Sequence, residues 1–200
     1  MARLFSTACE RNRGPILDAL TPRLPASGLL LEVASGTGMH AAYMAPRLPD
    51  WTWQPSDVGA EGLASIEAWR AEADVPNLRS PVELDVTRQP WPLGRADAIF
   101  NANMIHISPW ACTLGLLDGA ASVLSEGGPL FTYGPYRRGG EHTAPSNERF
   151  DASLRSRDPS WGVRDLERVE EEAAARGLVR EEIVEMPANN LLVLFRRSAS

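Results

Sequence analysis

The stretch G28-L-L-L-E-V-A-S-G-T-G-M-H40 decides the fold. Its first half is short, almost continuously apolar and ends abruptly at glycine, as expected of a central parallel strand covered on both faces. Its second half is a turn, S-G-T-G, that opens a helix expected to run to about Leu48. Gly36 and Gly38 let the backbone turn sharply and let a ligand approach without meeting a β-carbon. The helix start offers amides to an anionic group.

Outward from this unit, strand-like and helix-like runs alternate to about Leu124, which reads as an α/β chain with a parallel sheet. Downstream we expect a strand at Trp51–Asp57, a helix at Ala60–Ala73, and strands at Val82–Leu84 and Ala96–Asn101. A helix at Pro109–Leu124 and a fifth strand at Leu130–Gly134 follow. Upstream, Pro15–Leu24 predicts a helix that starts at its proline and turns Ile16, Leu17, Leu20 and Leu24 toward the sheet. Tyr136–Gly162, rich in glycine and proline, reads as an irregular excursion with room for one helix. Asp165–Arg176 is a helix stopped by Gly177, and Val179–Met186 with Leu191–Arg197 form an antiparallel pair across the turn Pro187–Asn190. The expectation is one domain: an N-terminal helix or lid (1–27), a cofactor-binding core (28–135), an acceptor-side excursion (136–164) and a final helix with its strand pair (165–200).

Asp57 ends the second strand, 21 residues after Gly36. A carboxylate there accepts both hydroxyl hydrogens of a ribose, the arrangement of nucleotide-binding α/β folds; alone, it reads better as a cap for the next helix, and together with the glycine turn ribose binding is the favoured reading. Asp85, just after the third strand, reads as an acceptor for an adenine amino group or as a capped loop residue. The run G36-T-G-M-H-A41 also satisfies the permissive dinucleotide pattern G-x-G-x-x-A, so an NAD(P)-dependent oxidoreductase stays open on these residues.

Composition narrows the field. All 20 basic residues are arginine, which removes Schiff-base chemistry, a GxxxxGK phosphate loop and the Tyr/Lys pair of short-chain dehydrogenases. A net charge of -6 argues against nucleic acid as partner. Cys9 and Cys112 lack metal or disulfide spacing, and no metal site is expected. With no apolar leader or membrane-length run, a cytoplasmic location and no membrane partner are expected. Nothing in the sequence reads on oligomeric state.

LLLEVASGTGMH (residues 29–40), the acids Asp57 and Asp85, ADAIFNANMIHIS (96–108) and the terminal strand pair resemble the class I S-adenosylmethionine-dependent methyltransferases. ERNRGPIL (10–17), ERFDASLRSRDPSWGVRDLE (148–167) and MPANNLLVLFRR (186–197) resemble more closely a little-characterised methyltransferase-like family long catalogued as a domain of unknown function. The resemblance implies a Rossmann-like, seven-stranded, mostly parallel sheet with an antiparallel terminal strand, helices on both faces, S-adenosylmethionine as cofactor and S-adenosylhomocysteine as product. Carried over, Glu32 would organise the glycine turn, Gly36 and Gly38 would admit the methionine part, and Asp57 would hold the ribose. Asp85 would meet the adenine and Asn101 would lie beside the amino acid end. Ala34 stands where many of these enzymes have a third glycine. Arg11 and Asn12 are expected to fold over the cofactor.

On the acceptor side, methyl transfer asks mainly for positioning, with a base only where the nucleophile carries a proton. His106 is the candidate base, with a packed loop histidine as the other reading. Arg137 or Arg138 is a candidate partner for an anionic acceptor. Asn101 and Asn103 lack the Pro-Pro-Tyr or Pro-Pro-Phe context of amino-methylating enzymes on DNA and protein, so a small-molecule oxygen or nitrogen nucleophile is expected. A subunit that binds the cofactor without transfer is the remaining alternative.

Overall fold

The computed structural model describes residues 3–199. In chain order the elements are α1 (Thr7–Leu20), β1 (Gly28–Val33), α2 (Met39–Met44), β2 (Trp51–Asp57), α3 (Ala60–Ala73), β3 (Val82–Glu83), β4 (Ala98–Ala102), α4 (Trp110–Val123) and β5 (Pro129–Gly134). There follow β6 (Arg137–Arg138), β7 (Glu141–His142), α5 (Pro145–Arg157), α6 (Leu166–Ala174), β8 (Leu178–Met186) and β9 (Asn190–Arg197).

Seven strands form one sheet in the order β3-β2-β1-β4-β5-β9-β8. β1 pairs in parallel with β2 and β4, and is buried from Leu30 to Val33 because both its edges and both its faces are occupied. β9 runs antiparallel to β5 on one side and to β8 on the other. The chain therefore passes beyond the sheet to lay β8 at the edge, then returns to fill the gap. The two faces carry separate cores. One joins Leu31, Ile99, Leu130 and Val193 to α4 and α6; the other joins Leu30, Phe100, Phe131 and Leu194 to α1 and α2.

Three expectations need correction. The first helix does not begin at Pro15. It starts eight residues earlier, where the Ser6 hydroxyl accepts the Cys9 N–H (3.2 Å) as an N-cap, and Pro15 lies inside the helix. The helix after the glycine turn stops at Met44 and passes into a 3₁₀ turn, Ala45–Arg47, because Pro46 removes an α-helical donor. The excursion after Tyr136 is regular: the β6–β7 hairpin leads directly into α5. Among the described residues no helix is long and apolar enough to cross a membrane, and no three His, Cys, Asp or Glu side chains gather as metal ligands would.

Candidate functional site

The carboxyl ends of β1, β2, β4 and β5 open on one side of the sheet, around the point between β1 and β4 where the strand order reverses. Ligands of open α/β sheets bind at such a crevice. Two cavities meet there. One, of about 380 Å³, is lined by the turn Ala34–Thr37, Asp57, His40 and Ile107. The other, of about 480 Å³, is lined by Arg11, Pro15, Tyr133, Pro135, Asn147 and Phe150. Ala8, Asn12 and Asn103 border both. These volumes lie within the ~300–1,000 Å³ common for small-molecule sites.

The first cavity is shaped by the glycine turn. Gly36 has φ +59, and a β-carbon there would meet nothing within 4 Å, so its outer side is open space. Gly38, at φ +87, is required for a different reason: a β-carbon would lie 2.7 Å from Ile66 Cα of α3. Ala34 adopts φ 57, the left-handed conformation that a glycine takes without strain. Most backbone donors of the turn are engaged. Ser35 N–H donates to Ser56 O (2.8 Å), Gly38 N–H to Ser35 O (3.0 Å), and Gly36 N–H to Asp57 Oδ2 (2.8 Å). The other Asp57 oxygen accepts from Val58 and Gly59 N–H at 2.8 and 3.1 Å. Each carboxylate oxygen keeps lone-pair capacity, so Asp57 both fixes the turn to the end of β2 and offers an acceptor at the cavity wall.

Glu32 lies beneath the turn, 2% exposed. Its carboxyl accepts the Trp53 indole N–H at 2.7 Å, and its backbone carbonyl accepts the Ser56 hydroxyl at 2.7 Å. Burial, with Asp57 nearby adding to it, pushes its pKa up to about 8 against the pull of the Trp53 hydrogen bond. Burial thus favours the neutral form of Glu32, which braces the turn from below. His40 is also buried; burial first and Arg13 second bring its pKa down to about 4. Its Nε2 lies 2.9 Å from Asn12 Oδ1, so the neutral ring donates there. Asn12 in turn hydrogen-bonds the Tyr133 phenol, whose pKa burial raises. α1 is thus pinned across both cavities through Asn12.

Four of the residues singled out in the sequence stand outside the first cavity. His106 is fully buried and lines neither cavity. Its Nδ1 accepts the Arg164 N–H (3.1 Å), its ring meets Tyr136 edge-on at 5.0 Å, and burial together with Arg164 brings its pKa down to about 3. It is a packed histidine joining the excursion to the sheet. Asn101 is buried in β4, donating to Val33 O at 2.9 Å; Asn103, two residues on at φ 64, reaches the cavities instead. Asp85 closes a turn on Thr87 through N–H and hydroxyl (3.0 and 2.7 Å), contacts that hold its carboxyl below the usual range, and it pairs with Arg88 at 3.2 Å; it lines neither cavity. Arg11 borders the second cavity, not the first.

The arginines expected to meet an acceptor are also spent locally. Arg137 donates to Gly140 O within its own hairpin, and Arg138 pairs with Glu185 at 3.1 Å. The residues that form the second cavity were not read as a site in the sequence: Tyr133, Asn147 and Phe150 went unnoticed, and the β8–β9 turn was read only as a connection. Asn147 donates to Asn189 O (2.9 Å), fastening α5 to that turn, where Ala188 and Asn189 take φ 58 and 59. The usable signal was M-P-A-N-N, since two asparagines after a proline favour left-handed turn backbone.

The sequence model of a family described as "Protein of unknown function (DUF938)" matches residues 3–197. Among solved structures, an O-methyltransferase family protein from Burkholderia thailandensis superimposes with TM-score 0.80 at 16% identity, over 96% of this chain and 58% of that one. Human N-acetylserotonin methyltransferase, solved in complex with S-adenosylmethionine, gives 0.79 at 15% identity, over 96% and 53%. The YcgJ protein of Bacillus subtilis gives 0.72 at 15%, over 96% and 100%. The chain spans little more than half the length of the first two. At these identities the likeness is one of fold: a Rossmann-like methyltransferase sheet.

Proposed function

The chain belongs to the DUF938 family, whose description states no activity, and from its paired cavities we propose that it transfers a methyl group from S-adenosylmethionine to a small molecule. The observation that carries this is the junction of the two cavities at Ala8, Asn12 and Asn103. A donor held against the glycine turn and an acceptor held against Tyr133 share a wall, as a direct transfer requires.

The first cavity suits the donor. Asp57 offers oxygens to a ribose diol, Gly36 leaves room for close approach, and Met104 and Ile107 provide apolar surface. Bound there, S-adenosylmethionine supplies an electrophilic methyl carbon on a sulfonium. The turn fits a dinucleotide less well. A pyrophosphate needs free backbone donors, and the N–H groups of Ser35, Gly36 and Gly38 are already engaged.

The protein's own residues position, and they offer no evident base. The second cavity is lined by no Asp, Glu or His. Tyr133 is held protonated by burial, and at the first cavity burial pushes Cys9 up to about 12. The acceptor is thus an oxygen or nitrogen whose lone pair is free on arrival.

Calorimetric titration with S-adenosylmethionine and S-adenosylhomocysteine, with NADH as control, tests the reading. Micromolar or tighter binding of the first two, weakened at least tenfold by Asp57→Ala in a protein that stays folded, is expected. Binding of NADH alone, or of none, would sink it. An acceptor screen with labelled methyl donor then separates an enzyme from a binding subunit.

A further inference from the structure

The second cavity has one charged lining residue, Arg11, and its chemistry deepens the reading above, on which this inference rests. Residues 8, 11, 12 and 15 of α1 form one helical stripe along the cavity, so the Arg11 stem leaves the helix on the cavity side. Pro15 lies in the same stripe and cannot donate to the Arg11 carbonyl four residues back.

Among the described residues Arg11 has no ion pair, hydrogen bond or ring contact. The next arginine of α1, Arg13, is by contrast engaged over the Tyr43 ring. In a chain of net charge -6, a cavity with one unpaired guanidinium and no carboxylate is a local reversal of sign. Two other amides of the wall are committed within the protein, while Asn12, Asn103 and Ser146 add neutral polar groups. Asn147 donates to Asn189 O and Thr143 Oγ1, and Asn190 to Pro187 O and Ala188 O. The remaining surface, with Tyr133, Pro135, Phe150 and Pro187, is rigid and apolar.

We propose that the second cavity takes a small planar apolar molecule bearing one carboxylate, and that Arg11 is the residue that recognises this anion. The guanidinium fork matches a carboxylate in two parallel hydrogen bonds. One cation balances one negative charge; a phosphate dianion would keep an excess inside an acidic protein. Arg11 accordingly acts on the acceptor and leaves the cofactor to the glycine turn and Asp57.

Titrations of the full chain saturated with S-adenosylhomocysteine, using benzoate, salicylate and indole-3-carboxylate beside their uncharged carboxamides, provide the test. At least one carboxylate binds, with its carboxamide weaker by tenfold or more. Arg11→Gln abolishes that preference, Arg11→Lys keeps part of it, and S-adenosylhomocysteine affinity stays within twofold in both variants. Carboxamides binding as well as carboxylates, no carboxylate binding, or Arg11→Gln without effect would overturn the proposal. So would loss of S-adenosylhomocysteine affinity in Arg11→Gln, which would return Arg11 to the cofactor. If S-adenosylhomocysteine fails to bind the unmodified protein while a carboxylate binds through Arg11, the methyl-transfer reading falls and the anion site stands.

Discussion

Three buried or strained residues carry tests of the structure, two of them at the glycine turn. Ala34 sits at φ 57, where an alanine carries strain that glycine does not. Ala34→Gly should gain about 0.5–1 kcal/mol, the relief of left-handed strain (~1–2 kcal/mol) less the extra freedom of an unfolded glycine; paired urea melts check it. Glu32→Gln retains an oxygen for the Trp53 N–H, 2.7 Å away in the parent, and abolishes the ionisation. Its stability relative to the parent should therefore be higher at pH 8.5 than at pH 5; equal differences at the two values would refute a buried neutral carboxyl. His106→Ala removes a fully buried side chain and should cost about 2–4 kcal/mol as a large-to-small core change. If the variant kept full stability but lost turnover with an altered pH profile, His106 would regain a catalytic role.

At the scale of elements, α1 does more than cover the sheet. Its N-terminal end is tied down by Ser6, which caps Cys9 N–H and whose own N–H reaches Met39 Sδ at 3.1 Å, and by Leu4, whose N–H donates to Ser65 Oγ at 2.8 Å. Ser6→Ala should cost about 1 kcal/mol as a lost N-cap, speed amide exchange in the first turn of α1, and weaken S-adenosylhomocysteine binding while leaving the β8–β9 pair protected. The elements of the sheet were legible because periodicity and turn chemistry are local: β2 and α3 fall on the expected residues, Trp51–Asp57 and Ala60–Ala73. Pro15 misled because a proline two turns into a helix and a proline starting one look alike unless Ser6 is weighed as a cap. The cofactor turn was readable for the same local reason. The acceptor cavity was not: α1, β5, α5 and the β8–β9 turn lie far apart in sequence, and nothing local says that Arg11 and Phe150 will share a wall.

For the molecule as a whole, buried titratable groups set opposing limits of pH. His40 and His106 have pKa values brought from 6.5 down to about 4 and 3. Their stabilising contribution is complete above pH 6.5 and is lost as pH falls through those lower values, because the unfolded chain takes up the protons first. Glu32, raised from 4.5 to about 8, behaves oppositely: its contribution is complete below 4.5 and is lost as pH rises through 8. Between these ordinary values two histidines outweigh one glutamate, so these groups together place maximal stability near pH 6.5. Urea midpoints that rise steadily from pH 6.5 to 8.5 would contradict this balance.

The insertion of β9 between β5 and β8 also bears on how the chain is made. β8 pairs only with β9, and β5 has no other neighbour on that side. During synthesis everything up to Met186 exists before the strand that must separate these two, so the nascent chain carries two open sheet edges at once. Such edges invite pairing with other chains. Until Asn190–Arg197 has been delivered into the gap, the open edge of β5 is therefore where the folding chain is most exposed to mispairing.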